Sequence, residues 1–301
     1  FWGDIIRKYP ELLKKIPADV TLLDWGYDHN HPFHRVRDFK KAGRRFYVCP
    51  GTGAWNSLFP RLPEAMANIH GFAAAGKKHG AQGLLNTDWG DGGHYNFMEF
   101  SWPGYLLGAE QAWNVNADVK SFTDRFCREF LGSASKDIVK ALVELGDIAQ
   151  LQVRKNRSIW QEIFFAGPDD AIFSGGISDG WVSRNGKIAP ARIRLTAAFG
   201  RQVVARLERI RRILVRHAAQ KKEDQNGILP YWVFAVDTLI HSARKLVVLG
   251  QGGSNAKAAR RTLRLEMKAL LKRFKSLWLA RNRLSEINIT IDKYHKVLQR
   301  L

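Results

Sequence analysis

Cysteine is scarce in this chain of 301 residues, and long apolar runs are absent from it. Cys49 and Cys127 are its two cysteines, and two cysteines at unrelated positions make neither a disulfide framework nor a zinc site. We therefore expect both to be buried thiols. No run of about 18 apolar residues occurs, so the sequence predicts no membrane-spanning helix. Apolar residues still make up 45% of the chain, which is enough for a substantial core.

Acidic residues are few, and the charge is divided unevenly. Lys and Arg number 48 against 28 Asp and Glu, a formal charge of +20. Residues 1–150 hold 18 basic and 17 acidic side chains, and residues 151–301 hold 30 and 11, giving net charges of +1 and +19. This division indicates two parts. A basic half can bind nucleic acid. Its aromatic residues lie on apolar stripes rather than between the charges, however, which favours amphipathic helices with solvated basic faces. Binding to an acidic glycan or to the cell-wall surface is a third option.

Short apolar runs in the first hundred residues predict parallel strands. Val20–Tyr27 and Phe46–Thr52 are two such runs, Gly80–Gly90 contains a third, and Phe1–Asp4 is typical of the end of an earlier strand. A helix near Pro63–His79 lies between the second run and the third, ending at Gly80. Strands that alternate with helices indicate βαβ units.

These strands predict the carboxyl-terminal half of a (β/α)8 TIM barrel, about strands 5–8, over residues 1–118. Half a barrel has open edges and cannot close, so we expect four more strands upstream of Phe1. Apolar stripes at helical spacing predict a basic α-helical domain over residues 119–301, with Phe173–Gly186 as a loop. The expected fold class is therefore α/β followed by all-α.

The predicted strands all end in aromatic and polar residues. In such barrels the carboxyl ends of the strands carry the active site. Indole and phenol rings stack on the apolar faces of sugars, and carboxylates and amides bind hydroxyl groups. The alternative is that the aromatic rings simply pack the core. The candidate sugar-binding residues are Trp2, Asp4, Trp25, Tyr27, Asp28, Trp55, Asn56, Trp89 and Asp91.

Three histidines follow the first full strand. His29, His31 and His34 lie beside Asp28, and closely spaced imidazoles can bind zinc. They fall in an expected loop before and after Pro32 with no Cys or Glu ligand motif, so we interpret them as loop or pocket-rim residues. We predict neither a metal nor a cofactor.

Four segments together resemble glycoside hydrolase family 20. They are WGD at Trp2–Asp4, DWGYDHNHPF at Asp24–Phe33, CPGTGAWNSLFPRLPEAMANI at Cys49–Ile69 and GAQGLLNTDWGDGGH at Gly80–His94. The similarity is to the bacterial exo-β-N-acetylglucosaminidases that have a helical C-terminal domain. It extends over about residues 1–115, and Leu277–Arg283 adds a weaker likeness.

The resemblance implies a TIM barrel that releases terminal N-acetylhexosamine, GlcNAc or GalNAc, from a glycan by substrate-assisted, retaining catalysis. It implies that Tyr27 orients the acetamido group, that four tryptophans wall the pocket and that Asp91 accepts hydrogen bonds from sugar hydroxyls. Family members also have an adjacent Asp-Glu pair, with Glu as the general acid. This chain contains no Asp-Glu dipeptide, so we expect it to be inactive alone. A non-catalytic sugar-binding protein or a basic nucleic-acid-binding helical module remains the alternative.

Overall fold

The computed structural model describes residues 1–91, 95–154, 157–175, 177–184, 186–220, 224–254 and 256–301. The described chain is mainly helical, with short strands. The α-helices are α1 (Asp4–Lys8), α2 (Arg37–Lys41), α3 (Leu62–His79), α4 (Met98–Trp113), α5 (Phe122–Arg125), α6 (Lys136–Ala149), α7 (Ile159–Phe165), α8 (Ala197–Ala218), α9 (Leu229–Leu249), α10 (Lys257–Arg281) and α11 (Ile287–Arg300). The strands are β1 (Thr21–Trp25), β2 (Arg45–Cys49), β3 (Gly83–Leu84), β4 (Gln152–Arg154), β5 (Arg157–Ser158), β6 (Ile177–Arg184) and β7 (Lys187–Arg194).

The parallel sheet has the order β1-β2-β3. Thr21 lies opposite Arg45, and the β2–β3 pairing covers two residue pairs. Helix α3 connects β2 to β3 and buries Ile69 and Phe72 completely. It ends where the sequence predicts, at Gly80, whose φ of 76° is the left-handed conformation of a helix C-cap.

The predicted half barrel is wrong. Three short parallel strands stand where four barrel strands were expected, in a predominantly helical chain. Trp2 makes only one isolated bridge, to Leu23, because the backbone turns into α1 at Asp4. Beyond Leu84 the pairing with the β2 segment becomes irregular: the Leu85 amide donates to the Val48 carbonyl at 2.9 Å, and Gly51 and Thr87 form an isolated parallel bridge. An apolar run indicates strand character, but the length of regular pairing depends on how the partner segment lies in the fold.

The apolar stripes predicted for the later part are confirmed as helices. They lie in α6, α8 and α10 and are buried, and α9 is the most enclosed of these helices. The loop expected over Phe173–Gly186 is wrong, because β6 within it pairs with β7 as an antiparallel hairpin. The glycine and serine content of this segment is typical of a loop, so the pattern did not indicate a strand.

One large cluster of buried apolar side chains draws on residues before and after position 118. Phe97 packs edge-on against Tyr231, with ring centroids 5.0 Å apart, and the Trp232 indole donates to the Glu99 carbonyl at 2.9 Å. A smaller cluster around Leu22 lies beside the parallel sheet. The division into residues 1–118 and 119–301 stays a prediction.

Both cysteines are free and buried, as predicted. Among the described residues, no helix combines the length and the apolarity needed to cross a bilayer.

Candidate functional site

A cavity of about 430 Å³ opens at the carboxyl ends of the parallel strands. Such a volume lies within the usual range of small-molecule sites. Strand β1 and the segments that follow β2 and β3 supply most of its wall, and the first four residues supply the rest. The lining residues are Trp2, Asp4, Trp25, Tyr27, Trp55, Trp89 and Asp91.

Tyr27 is the centre of the aromatic wall. Its ring stacks on Trp25 with centroids 5.2 Å apart and planes at 21°, and it meets Trp55 edge-on at 5.0 Å and 84°. The Trp89 indole N–H donates to the Tyr27 hydroxyl at 2.8 Å. Burial raises the pKa of Tyr27 to about 12, so the phenol stays neutral near pH 7. The rings therefore form one connected wall rather than separate contacts.

Close packing of the backbone against this wall depends on Gly51. A Cβ at that position would lie 2.4 Å from Trp55 Cη2 and 2.9 Å from Tyr27 Cδ1. Any other residue would displace a ring. Trp2 also lines the cavity and contacts Trp89, with ring centroids 5.8 Å apart.

Two arginines support the wall without lining the cavity. The Arg7 guanidinium lies 5.8 Å from the ring centre of Trp25, and its Nη2 donates to the Trp25 carbonyl at 2.9 Å. The Arg61 guanidinium lies 5.7 Å from the ring centre of Trp55 and donates to the Trp55 carbonyl at 2.7 Å. These cation–π and hydrogen-bond contacts fix both indoles, and none of the described residues that line the cavity is a Lys or Arg.

Asn68, on α3, ties together the segments that carry the wall. It is fully buried; its side-chain oxygen accepts from the Gly51 amide at 3.2 Å, and its Nδ2 donates to the carbonyls of Gly26 and Asp28 at 2.9 and 3.0 Å. Sequence reasoning missed this residue, since an asparagine on a helix gives no local sign of such partners.

Asp88 anchors the segment that carries Trp89. Its carboxylate accepts from the hydroxyls of Thr52 at 2.8 Å, Ser101, and Tyr105 at 3.4 Å. Sequence reasoning passed over Asp88 in favour of its neighbours, because the partners come from distant segments.

The acidic groups of the site differ in environment. Asp4 and Asp91 line the cavity, and Asp91 is exposed. Asp24 is fully buried and outside the lining, where burial raises its pKa to about 6 against the opposing charges of Arg7 and Arg35. Its Oδ1 lies 3.1 Å from Arg7 Nη1.

Two predicted site residues do not line this cavity. Asp28 is buried, and its carbonyl accepts from Asn68. Asn56 has a φ of 51°, and its carbonyl accepts from the Ser158 amide at 3.2 Å. Their sugar-binding roles stay predictions without geometric support. Residues 92–94, the end of the GAQGLLNTDWGDGGH segment, lie outside the described residues.

The histidines do not converge. His29 meets Trp181 edge-on at 4.6 Å and lies 3.6 Å from Glu64, whereas His31 packs on Phe72 at 4.8 Å. Across the described ranges, no three His, Cys, Asp or Glu side chains are grouped to hold a metal.

Glu64 belongs to a buried polar network apart from the cavity. Arg61 Nε and Gln152 Nε2 donate to its Oε2 at 3.1 and 2.8 Å. Burial would raise the pKa of Glu64, but His29, Arg61 and Gln152 together lower it. This network joins α3 to β4 and keeps Arg61 in place behind Trp55.

No protein-family model matches the chain, and no curated protein does. Among solved structures, it is similar to an enzyme of glycoside hydrolase family 138 that targets the pectin rhamnogalacturonan II. The identity is 13% and the TM-score 0.40; the match covers 90% of this chain and 41% of that one. The chain thus spans less than half of that carbohydrate-active enzyme, and the likeness is too low to transfer its site residues. The predicted membership of family 20 is wrong: no family model supports it, and the structural neighbour belongs to a different family.

Proposed function

We propose that the aromatic cavity binds the terminal pyranose of a glycan, with N-acetylhexosamine as the first candidate sugar. The observation that carries this proposal is the convergence of five aromatic rings and two carboxylates on one cavity. Rings offer stacking faces for the apolar side of a pyranose, and carboxylates accept hydrogen bonds from its hydroxyls.

Core packing alone does not account for this arrangement. Trp2 is 38% exposed although it contacts Trp89. Two carboxylates also lie beside the indoles at the cavity, and burying a carboxylate in an apolar core without a partner would be costly. Partly exposed aromatic rings beside acceptors are typical of a binding site that holds a ligand with apolar and polar faces.

Binding without hydrolysis is the expected behaviour of this chain. Most glycosidases use a pair of carboxyl groups across the glycosidic bond, and the acid member has a raised pKa. The aspartate whose pKa is raised near the site, Asp24, faces Arg7 and does not line the cavity. We expect no release of nitrophenol from a nitrophenyl N-acetylglucosaminide; turnover above buffer would contradict this expectation.

Titration calorimetry with N-acetylglucosamine, N-acetylgalactosamine and glucose tests the binding proposal. Trp89→Ala removes a stacking face and the donor to Tyr27, and Asp91→Asn weakens a charged acceptor. We expect each to raise Kd about tenfold or more, equivalent to about 1.4 kcal/mol. Gly51→Ala should weaken binding similarly by displacing Trp55 and Tyr27.

Matched controls separate loss of the site from general damage. Trp113 is 94% exposed and outside the cavity, so Trp113→Ala should bind as the parent does. Asp292→Asn makes the same charge change on the exposed face of α11. The proposal fails if no sugar binds to the folded parent, or if the cavity variants bind as tightly as these controls.

A further inference from the structure

Helix α10 has an extreme charge composition. Its 25 residues include nine Lys or Arg side chains and one acid, Glu266. Glu266 does not face outward: its carboxylate pairs with His241 and Arg244 of α9, at 3.0 and 2.6 Å. The outer surface of the helix is therefore left without an acid of its own.

The cations of this outer surface include Arg261, Arg264, Lys268 and Lys272, and we call these four the basic ladder. All four are exposed, and they lie on the other side of the helix from the buried stripe of Leu263, Met267, Leu270, Phe274 and Trp278. Steps of three and four residues place about one cation on each turn, over a length of about 16 Å.

Several other arginines of this half do have acidic partners, with two arginines sharing each carboxylate. Asp237 pairs with both Arg211 and Arg273, and Glu144 pairs with both Arg206 and Arg209. No acidic side chain in the described ranges forms an ion pair with any member of the basic ladder. Cations four residues apart on one helix repel each other. A polyanion bound along the ladder would relieve this repulsion between its members.

We propose that the basic ladder is a docking surface for an acidic polysaccharide. A polyanion that lies along the ladder would neutralise consecutive turns and release its counterions. The exposed large apolar side chains of α10 are Leu265 and Leu279, neither of which is aromatic, whereas single-stranded nucleic acids need aromatic rings for base stacking. The preference for a polysaccharide also rests on the sugar-binding function proposed for the cavity.

Dextran sulfate and uncharged dextran, which share one backbone, are the probes for the complete chain. Lys268→Glu with Lys272→Glu tests the ladder, and Lys40→Glu with Lys41→Glu, two exposed residues of α2, makes the same change in net charge. We expect dextran sulfate to bind with a Kd that rises as salt rises, and uncharged dextran to bind at least tenfold more weakly. The affinity for dextran sulfate should fall at least tenfold in the ladder variant and less than twofold in the α2 variant. If the ladder variant does not fold, Lys268→Gln with Lys272→Gln replaces it.

Equal losses in the two variants would overturn the proposal, because they would show a response to net charge alone. Tighter binding of duplex DNA than of dextran sulfate at equal charge, with the same loss in the ladder variant, would overturn the polysaccharide assignment. Trp89→Ala should leave dextran sulfate binding unchanged. The two proposals are therefore tested independently: either the ladder or the cavity can be shown not to bind its ligand without affecting the other proposal.

Discussion

At the scale of single residues, Asp24 couples the small core to the aromatic wall. Leu22 and Asp24 are both buried on one face of β1, so a carboxyl group occupies a position that alternation assigns to an apolar side chain. Asp24 pairs with Arg7, and Arg7 holds the carbonyl and the ring of Trp25. The buried acid thus helps to fix one side of the proposed sugar site.

Replacing Asp24 by Asn should change how stability depends on pH. The raised pKa of about 6 means that the folded protein binds the proton more tightly than the unfolded chain. The parent therefore loses stability as pH rises from about 4 through 6, and Asn cannot titrate. We expect urea unfolding to show that the free energy of unfolding of the variant, relative to that of the parent, rises by about 2–3 kcal/mol between pH 4 and pH 7.

Asp38→Asn is the control for this change, since Asp38 is exposed. Its difference from the parent in free energy of unfolding should not change with pH. An Asp24→Asn difference that is equally flat would show that the pKa of Asp24 is the same in the folded protein and in the unfolded chain, with Arg7 and Arg35 offsetting the effect of burial.

At the scale of elements, α8 and α9 approach closely at Gly200. A Cβ there would lie 2.8 Å from the Ala243 carbonyl oxygen and 3.0 Å from Val247 Cγ2. Sequence periodicity identifies the buried stripe of α8, but it does not show that a glycine on that stripe is the point of closest contact with α9. That information depends on the partner helix.

Gly200→Ala should destabilise the protein even though alanine is the better helix former. Overpacking costs about 1–3 kcal/mol, and the gain in helix propensity is about 1 kcal/mol. Urea unfolding should show a net loss. Gln202→Ala, at an exposed position on the same helix, should change the free energy of unfolding by no more than about 0.5 kcal/mol. A Gly200→Ala variant more stable than the parent would show that α8 and α9 can separate at no cost.

At the scale of the whole molecule, a formal charge of +20 sets the response to salt. Self-repulsion destabilises the compact state, and raising the ionic strength from 0.01 to 0.1 M shortens the screening length from about 30 to about 10 Å. We expect added NaCl over this range to raise the free energy of unfolding by on the order of 1 kcal/mol, or Tm by about 2 °C.

The Lys268→Glu, Lys272→Glu variant lowers the positive charge by four and should respond less to salt. Thermal unfolding at the two ionic strengths checks both proteins. A parent whose Tm falls with salt would show that ion pairs such as Arg211–Asp237 outweigh the repulsion among unpaired cations.

The sequence by itself determined features that depend on near neighbours along the chain. Apolar residues at helical spacing located α6, α8 and α10, and Gly80 marked the end of α3, because a helix positions its faces by residue number alone. The aromatic and acidic residues after the apolar runs pointed to a shared cavity, and seven of them line one.

Only the tertiary structure decided how far each strand pairs, which acids neutralise which arginines, and which polar residues support the cavity. Strand pairing joins residues remote in sequence. The segment expected to hold four barrel strands therefore has a three-stranded sheet, and Ile177–Arg184, within the expected loop, is a strand of a hairpin. Asn68 and Asp24 acquire their roles from carbonyls, amides and guanidinium groups on other segments. Such partners are set by packing in three dimensions, and spacing along the chain does not encode them locally.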